Sequence, residues 1–96
     1  MKCGIDIIAE ERKRQIEVEG WTSEHDDKYY CGELSDAAVC YATRGYWRNS
    51  QRNPAYYMMF PFSPEWWKPT PDDRIRELAK AGALIAAEID RLQRIK

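Results

Sequence analysis

Trp66-Trp67-Lys68 and Tyr46-Trp47-Arg48 each set flat rings beside a cation, and Arg44, Arg52, Tyr56 and Tyr57 lie in the same stretch. Trp21, nearer the N-terminus, is the remaining indole. Indole and phenol faces stack on flat heterocycles, and Arg or Lys neutralises phosphate, so this combination suits a nucleotide-like ligand. Any one of these rings can equally serve as core. Adjacent side chains cannot all point inward, however, so core filling alone does not account for the cluster. Tracking a nucleic-acid backbone calls for a basic domain, whereas the formal net charge here is -1. A small anionic ligand is therefore expected rather than extended nucleic acid.

A second constellation is acidic. Glu33-Leu34-Ser35-Asp36 puts two carboxylates one helical turn apart on one face. Glu24-His25-Asp26-Asp27 lies just before it, and Glu10-Glu11 sits further upstream. Carboxylates converging from two helices could hold Mg²⁺ on a triphosphate, which makes Glu33 and Asp36 the alternative metal ligands. The competing explanation is a solvated helix face, where such charges are routine. His25 is flanked by acids, which suits a loop hydrogen-bonder better than a catalytic base. No glycine-rich phosphate loop, nucleophile elbow, HExxH or kinase signature occurs, so no catalytic residue is nominated and the leading interpretation needs no cofactor. Cys3, Cys31 and Cys40 fit neither a disulfide framework nor a structural zinc site.

These residues need a scaffold, and the composition limits what it can be. The chain has 96 residues, enough for one domain with a modest core. Charged residues make up 32%, mean hydropathy is -0.74, and strong aliphatics are sparse. The 12 aromatic residues and the near-zero net charge argue against disorder and supply the missing apolar volume. The charge is also segregated: residues 1–40 are acidic, whereas 41–70 hold Arg44, Arg48, Arg52 and Lys68 against Glu65 alone. No apolar run is long enough for a membrane span, and the start lacks the pattern of a secretory signal, so a cytoplasmic location is expected.

Periodicity predicts a helix over 6–19, with Asp6 as N-cap and Gly20 as its stop. Ile5, Ile8, Ala9, Arg12 and Ile16 would form its inward stripe, the Arg12 head group pointing outward. Thr22 or Ser23 can cap a short turn. A second helix is expected over 33–44, burying Leu34, Ala37, Ala38, Tyr41 and Ala42 and ending at Gly45. Pro54, Pro61, Pro64 and Pro69 forbid a long helix in 46–70, which reads as an ordered loop with a turn of helix over 55–60. The last helix is predicted over 71–95, with Thr70 as N-cap and Pro71 at N1. Its stripe is Ile75, Leu78, Ala79, Gly82, Ile85, Ala86, Ile89 and Leu92, with Gly82 marking a close helix crossing. Ala81, Ala83, Leu84 and Ala87 widen the apolar face, which favours a dimer or higher assembly. The fold class is all-α, a single helical domain of three main helices with an aromatic-rich, Pro-containing loop between the second and the last.

The run Arg14-Gln15-Ile16-Glu17-Val18-Glu19-Gly20-Trp21-Thr22, followed by Asp26-Asp27-Lys28, resembles the ryanodine-receptor repeat domain. That resemblance implies a small helical domain that binds nucleotide-like ligands, with Trp21 stacking on the base. The EGWT-SEHDD, GEL-DAA and AGALIAAEIDRL arrangement is also similar to small phage and prophage proteins, which implies a phage setting and a host-cell cytoplasm. Glu33-x-x-Asp36 is similar to the second metal-binding element of MazG-like nucleotide pyrophosphohydrolases, with Glu24-x-x-Asp27 approximating the first. The leading expectation is a non-catalytic module for a nucleotide-derived ligand, able to act as a phage sponge for a cyclic-nucleotide or ADP-ribose-type signal. Its ligand-binding residues are Trp21, Arg44, Trp47, Arg48, Arg52, Tyr56, Tyr57, Trp66, Trp67 and Lys68. The alternatives are the Mg²⁺-dependent hydrolase and a module that binds a protein partner.

Overall fold

The computed structural model describes residues 1–43, 61–62, 68–70 and 72–95, and among them the only regular structure is α-helix. Helix α1 spans Gly4–Glu17, α2 Ser23–Asp26, α3 Glu33–Ala42 and α4 Arg74–Arg94. The expected small all-α fold is the fold observed, with a single-turn helix, α2, added to three principal ones. Gly45, the 55–60 turn and Pro71 lie outside the described residues.

Helix α1 begins earlier than periodicity suggests. Cys3, in extended backbone, is its N-cap, and Asp6 sits in the first turn with its carboxylate accepting the Cys3 N–H at 3.2 Å. Asp6 is thus the reciprocal partner of a capping box, where its charge also faces the positive end of the helix. At the other end Val18 donates to the Arg14 carbonyl at 2.7 Å, and Gly20 takes φ +75°. A Cβ at Gly20 would meet nothing within 4 Å, so conformation rather than space demands glycine there. The left-handed turn folds the chain back so that the Trp21 N–H donates to the Gln15 carbonyl at 3.0 Å. Thr22 then caps α2 by accepting the His25 N–H.

The expected inward stripe of α1 is corrected. Ile5, Ala9 and Ile16 are exposed, and the buried residues of this helix are Glu11 and Gln15. Arg12 also turns inward at its head group: it donates to the wholly buried Asp26 at 2.8 Å, and Asp26 meets His25 Nδ1 at 3.1 Å.

Helix α3 buries Leu34, Ala37, Ala38 and Tyr41 as its spacing predicts, with Cys40 added and Ala42 exposed. It ends at Thr43, whose hydroxyl donates to the Val39 carbonyl at 2.6 Å. Arg74 donates to the terminal carbonyls of Tyr41, Ala42 and Thr43, satisfying acceptors that the helix itself leaves open.

Helix α4 is the helix on which the others pack, chiefly α3 and α1. Asp73, not Thr70, is its N-cap, accepting the Arg76 N–H at 3.1 Å. Its core face is not the large-aliphatic stripe. Ile75, Leu78, Ile85, Ile89 and Leu92 are 47–66% exposed, whereas Ala79, Ala81, Ala83, Leu84 and Ala87 are buried beside Glu77, Lys80 and Arg91. Small residues on both partners let backbones approach, and Leu34, Ala37, Ala38 and Tyr41 of α3 meet Ala81, Leu84 and Ala87 in one cluster. Trp21, Tyr29 and Phe62 close over it. Gly82 does mark a close crossing: a Cβ there would lie 2.6 Å from Ile8 Cδ1 of α1. No described helix is long and apolar enough to cross a membrane.

Candidate functional site

The last turns of α1 place Glu11, Arg14 and Gln15 at i, i+3 and i+4, one face of the helix. Gly20 then folds Trp21 back toward that face. Tyr41 comes from α3, and Lys80 and Leu84, one turn apart, come from α4. Together with Glu19, His25 and Lys68 these side chains line a cavity of about 230 Å³. A second hollow of about 340 Å³, between α1 and the start of α4, is lined by aliphatic and charged groups and has no aromatic residue in its described lining.

One wall of the first cavity is aromatic. The Trp21 and His25 rings stack with centroids 5.6 Å apart and planes 3° apart. Tyr29 packs edge-on against both His25, at 5.1 Å, and Phe62, at 4.8 Å. Buried Asp26 holds the His25 ring from the side through Nδ1, which leaves His25 a fixed wall residue with its carboxylate neighbour.

The opposite side is charged and already organised. Arg14 grips both Glu11 oxygens, at 2.9 and 2.8 Å, and reaches Glu19 at 3.0 Å. The hydrogen bond from Arg14 holds the Glu19 carboxyl below its ordinary range, and the two glutamates hold the guanidinium fully charged. Lys80 is 8% exposed; its ammonium donates to the Lys68 carbonyl at 2.8 Å and lies 5.5 Å from the Tyr41 ring centroid. Burial pushes the Lys80 ammonium below, and the Tyr41 phenol above, their ordinary values. The Lys68 N–H donates to the Tyr41 hydroxyl oxygen at 3.2 Å, and the Thr70 N–H to Glu77 at 3.0 Å, so this short segment is pinned to α3 and α4. The Lys68 side chain is exposed at the cavity. Gln15 is 2% exposed, and its amide oxygen is buried without a hydrogen-bond partner among the described residues.

Aromatic and apolar walls with a few convergent polar groups are what a small-molecule site requires. Of the ligand residues expected from sequence, Trp21 and Lys68 come together in this cavity. Arg44, Trp47, Arg48, Arg52, Tyr56, Tyr57, Trp66 and Trp67 lie outside the described residues. Glu33 and Asp36 do not converge with other ligands: Glu33 accepts the Cys31 N–H at 2.6 Å and Asp36 is exposed. No group of three or more His, Cys, Asp or Glu able to hold a metal occurs among the described residues. Sequence reasoning did not single out Gln15, Arg14, Glu11, Glu19, Tyr41 and Lys80 as site residues. A lysine inside the small-residue run Ala79-Lys80-Ala81 was the available signal for the last of these.

No family model, no curated protein and no solved structure matches the chain.

Proposed function

We propose that the chain is a non-catalytic binding module that holds a nucleotide-derived ligand in the cavity between α1, α2, α3 and α4. In a phage setting such a module sequesters a defence signal of the cyclic-nucleotide or ADP-ribose class. The observation that carries the reading is that Trp21 and Lys68, a stacking ring and a phosphate-binding cation distant in sequence, line one cavity with the buried cation Lys80. A flat heterocycle packs against the indole, Lys68 answers the ligand's negative charge, and Lys80 supplies a buried donor. Calorimetry against cyclic nucleotides and ADP-ribose should give saturable binding with the ligand recovered intact. Trp21→Ala should weaken it about tenfold or more, the scale of a lost base–aromatic stack. No binding by any of these ligands at micromolar protein would end the reading, and ligand breakdown in the presence of Mg²⁺ would turn it toward hydrolysis.

The outward stripe of α4 favours self-association as an accompaniment. Ile75, Leu78, Ile85, Ile89 and Leu92 recur at spacings of three, seven, four and three, the heptad-like pattern of a helix-pairing seam. Light scattering should give a mass above that of one chain, reduced to one chain by Ile89→Lys. A monomer throughout the micromolar range refutes it.

A further inference from the structure

We infer that the heterocycle of the ligand, not its phosphate, enters the cavity, where Gln15 and Lys80 hydrogen-bond its edge while the phosphate stays at the mouth on Lys68. This rests on the nucleotide reading and adds an orientation to it. Two observations converge on the buried end. The Gln15 amide oxygen is enclosed without a hydrogen-bond partner among the described residues, an acceptor that calls for a donor on the ligand. A phosphate carries acceptors and negative charge but essentially no donor at neutral pH, whereas base edges set N–H donors beside acceptors. Rotation about the soft terminal torsion of Gln15 is enough to turn the amide oxygen toward a ligand N–H, with no movement of the backbone. Lys80, already on the Lys68 carbonyl and against the Tyr41 ring, retains donor capacity for the neighbouring acceptor of the same edge.

Charge and size agree with that orientation. Glu11 and Glu19 line the cavity and engage Arg14, so a dianion placed deep inside would meet carboxylates and an occupied guanidinium. The volume of about 230 Å³ is below the range usual for sites that swallow a whole drug-sized ligand, and fits one ring system. Lys68 differs from Lys80 in being exposed, which suits a hydrated phosphate at the entrance.

The experiment compares adenosine, guanosine, cytidine and uridine with their 5′-monophosphates and with ribose 5-phosphate, by calorimetry. At least one nucleoside should bind within about tenfold of its monophosphate, and ribose 5-phosphate should bind far more weakly. Lys68→Ala should weaken the monophosphate several-fold and leave the nucleoside unchanged. Gln15→Met should weaken both by about tenfold, and Gln15→Glu, which keeps the acceptor, should lose less. Ribose 5-phosphate binding as tightly as the monophosphate overturns the orientation, as does a folded Gln15→Met that binds both unchanged. If Gln15→Met does not fold, equal loss of nucleoside and monophosphate in Lys68→Ala is the overturning result. If neither nucleosides nor nucleotides bind, the nucleotide reading itself fails and the orientation falls with it.

Discussion

Single residues here carry more than their types suggest. Arg12 reads from sequence as a methylene stem with a solvated head, yet its guanidinium is bound to a carboxylate with no exposure at all. Nothing in the spacing of α1 could reveal that, because the partner belongs to α2 and comes within reach only after Gly20 reverses the chain. Trp21 and Lys68, which the structure places in one cavity, could be picked out as candidates because stacking and phosphate neutralisation are properties of the residue itself. Gln15 could not, since a lone amide acquires meaning only when its neighbours deny it a partner. Glu19 offers a titration test of the Arg14 clamp. The hydrogen bond from Arg14 holds its carboxyl below the ordinary glutamate value, so its contribution is complete above that value and is lost as pH falls through the lowered folded one. Being on the exposed side of the clamp, it should contribute about 0.5 kcal/mol. Thermal melts of Glu19→Gln should therefore fall below those of the parent chain at pH 7, and the two should converge as the pH drops below 4.5. A difference that persists unchanged into strong acid would dissociate Glu19 from the clamp.

At the scale of elements, the helices were legible, but of their buried faces only that of α3 was. Leu34, Ala37, Ala38 and Tyr41 recur at helical spacing, so α3 could be oriented from spacing alone. Helix α4 offers two periodic faces, and hydropathy favours the wrong one. The large aliphatics stand outside because Ala81, Ala83 and Ala87 let α3 and α1 come nearer than Ile or Leu would allow. Buried Glu77 is tolerable on that face because Arg74 and the Thr70 N–H satisfy it. The closest approach, at Gly82, can be tested by a double-mutant cycle. Gly82→Ala gains about 1 kcal/mol of helix propensity but drives a methyl into Ile8, an overpacking cost of about 1–3 kcal/mol. It should be neutral to destabilising in the parent chain and stabilising in an Ile8→Ala background, as measured by urea unfolding. Equal effects in both backgrounds would mean that the two residues do not touch.

Over the whole molecule, the two faces of α4 predict opposite responses to substitution. Leu84→Ala empties a core position and should cost about 2–5 kcal/mol. Ile89→Lys, measured where the chain is monomeric, should stay within about 0.5 kcal/mol of the parent. Reversal of that order in denaturant melts would exchange core and surface. The general class of the fold followed from helical periods, caps and prolines. Which surface became the cavity depended on contacts between α1, α3 and α4 that no local pattern encodes. That arrangement has a consequence for synthesis on the ribosome. Among the described helices, α1, α2 and α3 all find their main partner in α4, so the earlier helices emerge before the surface they chiefly pack on. The α4 face of the cavity is in place only once residues 74–94 have cleared the exit tunnel, so the site is completed by the last of its helices to be made.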